Sequence, residues 1–386
     1  MASSFSCNMF DYAIIGAGAA GLHLALAMQK DPFFAQKKIL IIDKDAKDQN
    51  DRTWCYWEKG EGLWDALILN SWSEGSFYRG GEDIRLKLSP YLYKMLRGLD
   101  FYRYAKQTLG KHAGLVWVQE EVLTVEQGSP LQINTSKGQY LAQYVFDSRI
   151  PEQFFAKGDS YTRLLQHFKG WWVKTPDDFF EPGRFTMMDY RLLWNGSTSF
   201  TYVLPLNRRE ALVEFTLFTP ELIEETDYDT MLQRYMEEIL GLKHIEVTET
   251  EKGIIPMTDF PFERYSSGHY LRIGTGGGWV KPSSGYSFKN CEKNARKVVQ
   301  NLKNSRPPGQ GIISAKFRLF DSLFLDVLNR RNEEGPALFH TMYRKNSIQQ
   351  IFAFLDDETT IPQDLRIIVG FPQAPFLGAL LRKIAG

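Results

Sequence analysis

The chain has little cysteine and no excess of either charge. Its 386 residues include three cysteines, Cys7, Cys55 and Cys291, and 46 basic residues balance 46 acidic ones. Three well-separated cysteines with no CxxC pair offer no zinc site and suit a reducing cytoplasm, so no metal is expected. A balanced charge supplies no field to gather nucleic acid, and a nucleic-acid-binding role is excluded. No run of about eighteen apolar residues occurs, so no membrane-spanning helix is expected. The opening MASSFSCNMFDY has neither the basic flank nor the apolar core of a leader, and is read as neither signal nor transit peptide. Internal repeats and low-complexity tracts are also missing.

Aromatic residues, by contrast, make up 14% of the chain, beside 43% hydrophobic and 24% charged residues. This is globular composition with enough rings to line an apolar cavity. The length allows two or three domains with cores of their own.

The clearest pattern lies near the start. Residues 12–15 form an apolar run, Gly16-Ala17-Gly18-Ala19-Ala20-Gly21 turns the chain, and Leu22, Ala25 and Leu26 recur at helical spacing. A second apolar run, 39–42, ends at Asp43. Strand, glycine turn, helix and strand make a βαβ unit, which implies a parallel sheet. In such a turn Gly16 permits the sharp bend. Gly18 admits a pyrophosphate to the backbone, and Gly21 lets the helix close on the sheet. The free N–H groups of the helix start, at Ala19 and Ala20, then face the phosphates. Asp43 stands where a carboxylate receives ribose hydroxyls.

Two later features favour a long cofactor of the FAD kind. Asp147 follows the short run Val145-Phe146, and a second glycine cluster, Gly274-Thr275-Gly276-Gly277-Gly278, follows another strand. There Gly274, Gly277 and Gly278 would let a ribityl chain or flavin approach the backbone. A bulged loop without a ligand is the plainer reading of that cluster.

Elsewhere, residues 86–110 are expected to be helical and 115–118 a strand. Residues 122–135 and 139–146 should form a hairpin turning at Lys137-Gly138. From about 183 to 218 the pattern alternates, with 199–204 and 211–218 as antiparallel neighbours, and an acidic helix is expected over 222–240. Beyond 315 the chain reads as mostly helical, with Phe317, Phe320, Leu323 and Phe324 on one face.

With these residues in view, the chain resembles the FAD-dependent lycopene cyclases along nearly its whole length. Asp11 to Gly18 is similar to the family's opening, and Arg52-Thr53-Trp54 to its Arg-Thr-Trp segment. Phe146-Asp147-Ser148-Arg149 is similar to its strand-end aspartate, and Gln166-His167-Phe168 to its Gln-x-Phe element. Met188-Asp189 and Phe200-Thr201-Tyr202-Val203-Leu204-Pro205 match two further elements. Ile273-Gly274-Thr275 through Pro282-Ser283-Ser284-Gly285-Tyr286 resembles the flavin loop. The family's acidic strand usually carries two adjacent carboxylates followed by Thr. Here it reads Leu212-Val213-Glu214-Phe215-Thr216, with Phe215 in place of the second acid.

The resemblance implies an α/β fold: a Rossmann-like FAD-binding domain of the p-hydroxybenzoate hydroxylase-like (GR2) type, an antiparallel β-rich substrate layer and a helical C-terminal part. The expected division is 1–150 with 251–314 for FAD, 151–250 for substrate, and 315–386 for the helical part. It also implies a redox-neutral reaction. A terminal alkene of lycopene, or of a related acyclic carotenoid, is protonated, the ring closes through a carbocation, and a ring proton leaves. Glu214 is the candidate acid, sharing a strand face with Leu212 and Thr216. Burial in an apolar tunnel would keep it protonated. A solvent-facing strand glutamate is the plainer reading.

Reduced FAD, with NAD(P)H as a possible external reductant, would place negative charge beside the cation. Trp54, Trp57, Trp279 and Tyr286 are candidate pocket aromatics, although each also reads as ordinary packing. Arg52 would meet an FAD phosphate or a backbone carbonyl. His167 reads as a packed residue.

Lycopene must come from a lipid phase. In the tail, Leu377, Leu380, Leu381 and Ile384 share a helical face beside Arg382 and Lys383, which suits peripheral contact with the inner face of a membrane from the cytoplasm. A terminal helix docked on the core is the alternative. The competing functions are an FAD-dependent monooxygenase or prenyl-chain reductase of the same fold, and a carotenoid-binding flavoprotein without catalysis.

Overall fold

The computed structural model describes residues 9–156 and 161–385; Cys7 and the rest of the opening segment lie outside them. The chain begins with β1 (Met9–Ile15), α1 (Ala19–Lys30) and β2 (Ile39–Asp43). Then come β3 (Thr53–Lys59), β4 (Asn70–Trp72), β5 (Glu74–Arg79), β6 (Glu82–Lys87), β7 (Tyr91–Arg97) and α2 (Gly98–Leu109). The strands β8 (Leu115–Gln119), β9 (Val122–Glu126), β10 (Leu131–Thr135) and β11 (Gln139–Asp147) follow. The middle of the chain contains β12 (Arg163–Lys174), β13 (Arg184–Asp189), β14 (Ser199–Pro205), β15 (Glu210–Thr219), α3 (Glu225–Arg234) and β16 (Glu246–Thr258). After β17 (Tyr270–Arg272) and α4 (Phe288–Lys303) the chain is helical: α5 (Ala315–Arg330), α6 (Gly335–Lys345), α7 (Ile348–Leu355), α8 (Ile361–Val369) and α9 (Gln373–Ala385).

Among the described residues these strands form three sheets. The first runs β8-β2-β1-β11-β10-β9, with β17 beside β11. Its centre is parallel: β1 pairs with β2 and β11, and β11 with β17. Every residue of β2 is buried, as befits a strand covered on both faces. Leu22, Leu26, Ala295 and Val298 of α1 and α4 cover one face, and Phe10, Val122, Leu131 and Ile133 belong to the core on the other.

The second sheet runs β16-β12-β15-β14-β13-β5-β6. Strand alternation gives it two unlike faces. Val213, Phe215 and Leu217 of β15 pack on Tyr228, Met231, Leu232 and Tyr235 below. Leu212, Glu214 and Thr216 turn the other way, toward the three-stranded sheet β3-β7-β4 and the glycine loop.

Three expectations are corrected. Residues 91–97 are a strand, because they are bonded on both sides to β3 and β4, and that pairing overrides their local helical leaning. Only the stretch from Gly98 onward is helical. The single strand expected over 122–135 is two strands, β9 and β10, paired with each other around the turn that contains Gly128. The divisions also fall differently. The expected cut at 250 passes through β16, and β5 and β6, from the segment assigned to the cofactor domain, belong to the second sheet. The acidic helix ends at Arg234 and continues as a wider turn over Tyr235–Ile239.

Candidate functional site

The glycine turn is shaped as its residue types require. Gly16 has φ +95, and a Cβ there would meet the Ser148 hydroxyl at 1.9 Å. A Cβ on Gly21 would lie 2.0 Å from the Gly16 carbonyl oxygen, so α1 can approach the sheet only through glycine. Gly18 is different: nothing lies within 4 Å of its Cβ position. That open space adjoins the start of α1, at Ala19 and Ala20, which has no side-chain cap. Such a helix start accepts phosphate oxygens. Asp43 holds the turn from below, accepting from Ala17 N at 2.6 Å and Asp45 N at 2.8 Å.

Asp147 sits otherwise than a cofactor-facing acid. It is fully buried and accepts from Arg149 Nε at 3.0 Å, Arg149 Nη2 at 2.7 Å and the Tyr270 hydroxyl at 2.8 Å. Arg149 N adds a further bond at 2.9 Å. These donors leave its oxygens little capacity for a cofactor hydroxyl. In the second glycine cluster, Gly274 has φ +58 and its Cβ position lies 3.0 Å from the Ala20 side chain, so it joins the two glycine turns. A Cβ on Gly277 would lie 2.2 Å from the Arg272 carbonyl oxygen, and Gly278 takes a left-handed φ of +70. These glycines are required by backbone packing before any ligand is considered.

Between the second sheet, the three-stranded sheet and the glycine loop lies a cavity of about 240 Å³. Arg52 and Trp54 line it from one side, Thr275 and Tyr286 from the loop side, and Gln166 and Glu214 from the second sheet. Gln166 Oε1 and Ser284 Oγ are buried on this wall without a partner. Unpaired acceptors and donors there, together with the open space at Gly18, fit a polar-edged ring system joined to a pyrophosphate, as in FAD.

The Thr216 hydroxyl donates to Glu214 Oε1 at 2.9 Å, and among the described residues Glu214 has no ion-pair partner. Burial, with a further push from Glu251, raises its pKa to about 8. Glu251 comes from β16 and was not singled out in the sequence. The Thr53 hydroxyl donates to its Oε2 at 2.6 Å, with Trp172 Nε1 at 3.4 Å. Both glutamates pair in register with Gly170 of the strand between them. A Cβ on Gly170 would lie 3.2 Å from Glu251 Cγ and 3.6 Å from Glu214 Cβ, so the glycine leaves room for two carboxyl groups over one strand. A cue for Glu251 existed: Glu249, Glu251, Gly253 and Ile255 alternate with more exposed residues along β16. Nothing in that alternation tells which face is inward.

A second hollow, about 180 Å³ and mostly apolar, adjoins the first. Met187, Phe218, Phe324, Phe371 and Phe376 are among its walls, and it reaches Leu377 and Leu380 of α9. The two hollows share Tyr202, Ser284 and Tyr286. Tyr93 and Tyr286 bond through their hydroxyls at 3.2 Å. The four expected aromatics therefore separate. Trp54 and Tyr286 face the Glu214 cavity. Trp57 stands behind Tyr286, stacked on Phe352 at 4.3 Å and donating to Asp356 at 2.6 Å. Trp279 is buried on another hollow, beside Phe262 and Lys281. Lys281 is itself buried and pairs with Asp357 at 2.6 Å and Asp321 at 3.0 Å. His167 points away from the cavity, bonded to Tyr228 and Thr219, and burial lowers its pKa to about 4.

Residues 11–381 match the family described as "Lycopene cyclase protein". No curated protein matches the chain. Solved structures share the fold at low identity. A geranylgeranyl bacteriochlorophyll reductase-like protein from Thermoplasma acidophilum superposes with a TM-score of 0.62 at 13% identity, covering 96% of this chain and 98% of that one. A flavoprotein/dehydrogenase from Cytophaga hutchinsonii gives 0.60 at 14%, over 94% and 100%. A probable FAD-dependent monooxygenase from Pseudomonas aeruginosa, pqsL, gives 0.56 at 12%, over 91% and 100%. The architecture is thus the GR2-type FAD-binding fold that the family resemblance implies.

Proposed function

Since the chain belongs to the lycopene cyclase family, we propose that it closes β-ionone rings at the ends of lycopene or a related acyclic carotenoid, with reduced FAD bound along the α1 turn. The observation that carries this reading is Glu214: a carboxyl held protonated near neutral pH, in a cavity that shares Tyr202, Ser284 and Tyr286 with a neighbouring apolar hollow.

The residues divide the task. Gly16, Gly18, Gly21 and the start of α1 hold the pyrophosphate, with Asp43 fixing the turn. Gly274, Thr275 and the loop to Tyr286 bound the ring end. When bound, reduced FAD supplies negative charge next to a developing carbocation. Glu214 gives its proton to the terminal alkene. Tyr202, Tyr286 and Trp54 surround the cation with ring faces and keep bulk water from quenching it. The residues of the apolar hollow guide the polyene by apolar contact alone.

Lipid contact at the helical end supports delivery. No helix among the described residues is long and apolar enough to cross a membrane. Yet α8 and α9 expose Ile361, Leu365, Val369, Leu377, Leu381 and Ile384, and the apolar hollow is lined by Ile368 of α8 and Phe376, Leu377 and Leu380 of α9. Arg382 and Lys383 pair with Asp326 and Asp259, so apolar contact rather than basic charge would carry the attachment.

The test is expression in lycopene-accumulating cells with chromatography of the pigments. Cyclic carotenoid is the expected product. Unchanged lycopene in cells that hold folded, flavin-loaded protein would overturn the reading. A prenyl-chain reductase is the second reading, favoured by the likeness to the reductase-like fold. It would consume NAD(P)H in proportion to product, whereas the cyclase needs reductant only to prime its flavin.

A further inference from the structure

A cyclase must remove one proton for each proton it delivers. Glu214 delivers, and its partner in that exchange has to lie within the same cavity without being a second copy of the same environment. Glu251 meets this requirement. It is 8% exposed, lines the Glu214 cavity, and stands across Gly170 from Glu214.

The two carboxyls differ in what faces them. Burial pushes the Glu251 pKa up; against that push it accepts from the Thr53 hydroxyl and the Trp172 indole, both on one oxygen, and Arg97 lies near enough to favour its anion. Glu249 opposes this, although Arg97 pairs directly with Glu249. Glu214 has the single Thr216 donor and, among the described residues, no neighbouring cation. Two carboxyls so placed share one proton, and the one faced by more donors carries the charge. The family strand's adjacent second acid is absent here, replaced by Phe215, which turns to the opposite face and packs on α3.

We propose that Glu251 is the catalytic base that takes the ring proton, opposite the acid Glu214 across Gly170. This rests on the cyclase reading. The Glu214 O–H bond breaks and its proton bonds to the terminal alkene carbon. The next alkene attacks the resulting tertiary cation, forming the ring C–C bond and moving the positive charge into the ring. A ring C–H bond then breaks. Its electron pair becomes the ring double bond and its proton passes to the Glu251 carboxylate. Proton return from Glu251 to Glu214 across the gap over Gly170 restores the starting state, with no oxidant or reductant consumed.

The experiment compares Glu251→Gln, Glu251→Asp and Thr53→Val with wild type in lycopene-accumulating cells and with purified flavin-loaded protein. Glu251→Gln should lower ring formation about 100-fold. The residual product should contain rings whose double bond lies elsewhere, because an unplaced base removes a different proton. Glu251→Asp keeps a carboxylate and should retain the wild-type ring isomer at a reduced rate. Thr53→Val should lower kcat with KM little changed, and it tests the assignment even where Glu251→Gln does not fold. Wild-type rate and isomer in folded Glu251→Gln, or an unchanged kcat in Thr53→Val, would overturn the assignment. An inactive wild type would instead remove the cyclase reading itself, so the two failures are distinguishable.

Discussion

The strand ends of the two large sheets and the middle of the second sheet hold their acids in opposite ways. At the end of β11, Asp147 is covered by Arg149 and Tyr270; at the end of β13, Asp189 is covered by Arg191 and Tyr235 in the same arrangement. Both are strand-end carboxylates closed by an arginine two residues later and a tyrosine from elsewhere. In the middle of the second sheet, Glu214 is half-buried and Glu251 buried, with no ion-pair partner among the described residues and with each other for company. On the proposed reading, the contrast separates acids that hold the fold from acids that exchange protons. A carboxylate neutralised by a guanidinium is a clamp. One without a paired cation is free to give or take a proton.

The contrast can be broken from either side. The largest effect is expected at Glu214: Glu214→Gln should reduce ring formation by about 100-fold or more, read by pigment chromatography, while flavin absorbance is retained. Next is Asp147→Asn, which leaves Arg149 without its counter-charge inside the first sheet. It should cost about 3 kcal/mol in urea unfolding and lower flavin occupancy through the fold, without changing which rings form. Gly170→Ala is subtler. Its methyl would sit 2.9 Å from Leu212 Cδ1 and between the two glutamates, so about a tenfold loss of rate is expected with about 1–2 kcal/mol of destabilisation.

The smallest effect is a pH slope. The Glu214 pKa rises on folding to about 8, so its protonated form stabilises the native state. That contribution is complete below the unfolded carboxyl pKa and fades as pH climbs from there through about 8. Wild-type melting temperature should therefore fall by a few degrees more than that of Glu214→Gln between pH 5 and pH 8, and turnover should fail on the alkaline side. Equal slopes for the two proteins would remove the raised pKa from the account.

Much of this was legible in the chain. Gly16, Gly18 and Gly21 occupy three different environments, and the sharp bend at Gly16 and the close approach at Gly21 match what their spacing assigns. The alternation Leu212, Glu214, Thr216 against Val213, Phe215, Leu217 correctly separates cavity from core. Local patterns fail where a distant strand decides. Residues 91–97 carry helix-compatible side chains but are bonded on both edges by strands far along the chain. Asp147 reads as a ligand because its arginine lies two residues on and its tyrosine more than a hundred. Glu251 was missed for the same reason: its significance exists only when β12 brings it opposite Glu214, with a glycine in between. Likewise Trp57 and Trp279, equal to Trp54 by composition, part company once the hollows are placed.

The buried Lys281 has a mechanical meaning. It leaves the loop that follows the second glycine cluster and is gripped by Asp321 of α5 and by Asp357 after α7, so that loop, the proposed flavin seat, is fastened to the helical third of the molecule. Cutting off that third would leave an ammonium group stranded in a greasy interior, and the loop would relax to rehydrate it. A shortened chain that no longer colours cells would thus register a loosened flavin seat as readily as a lost lipid foothold. Single exchanges on the outer faces of α8 and α9 separate the two, because they leave the fastening intact.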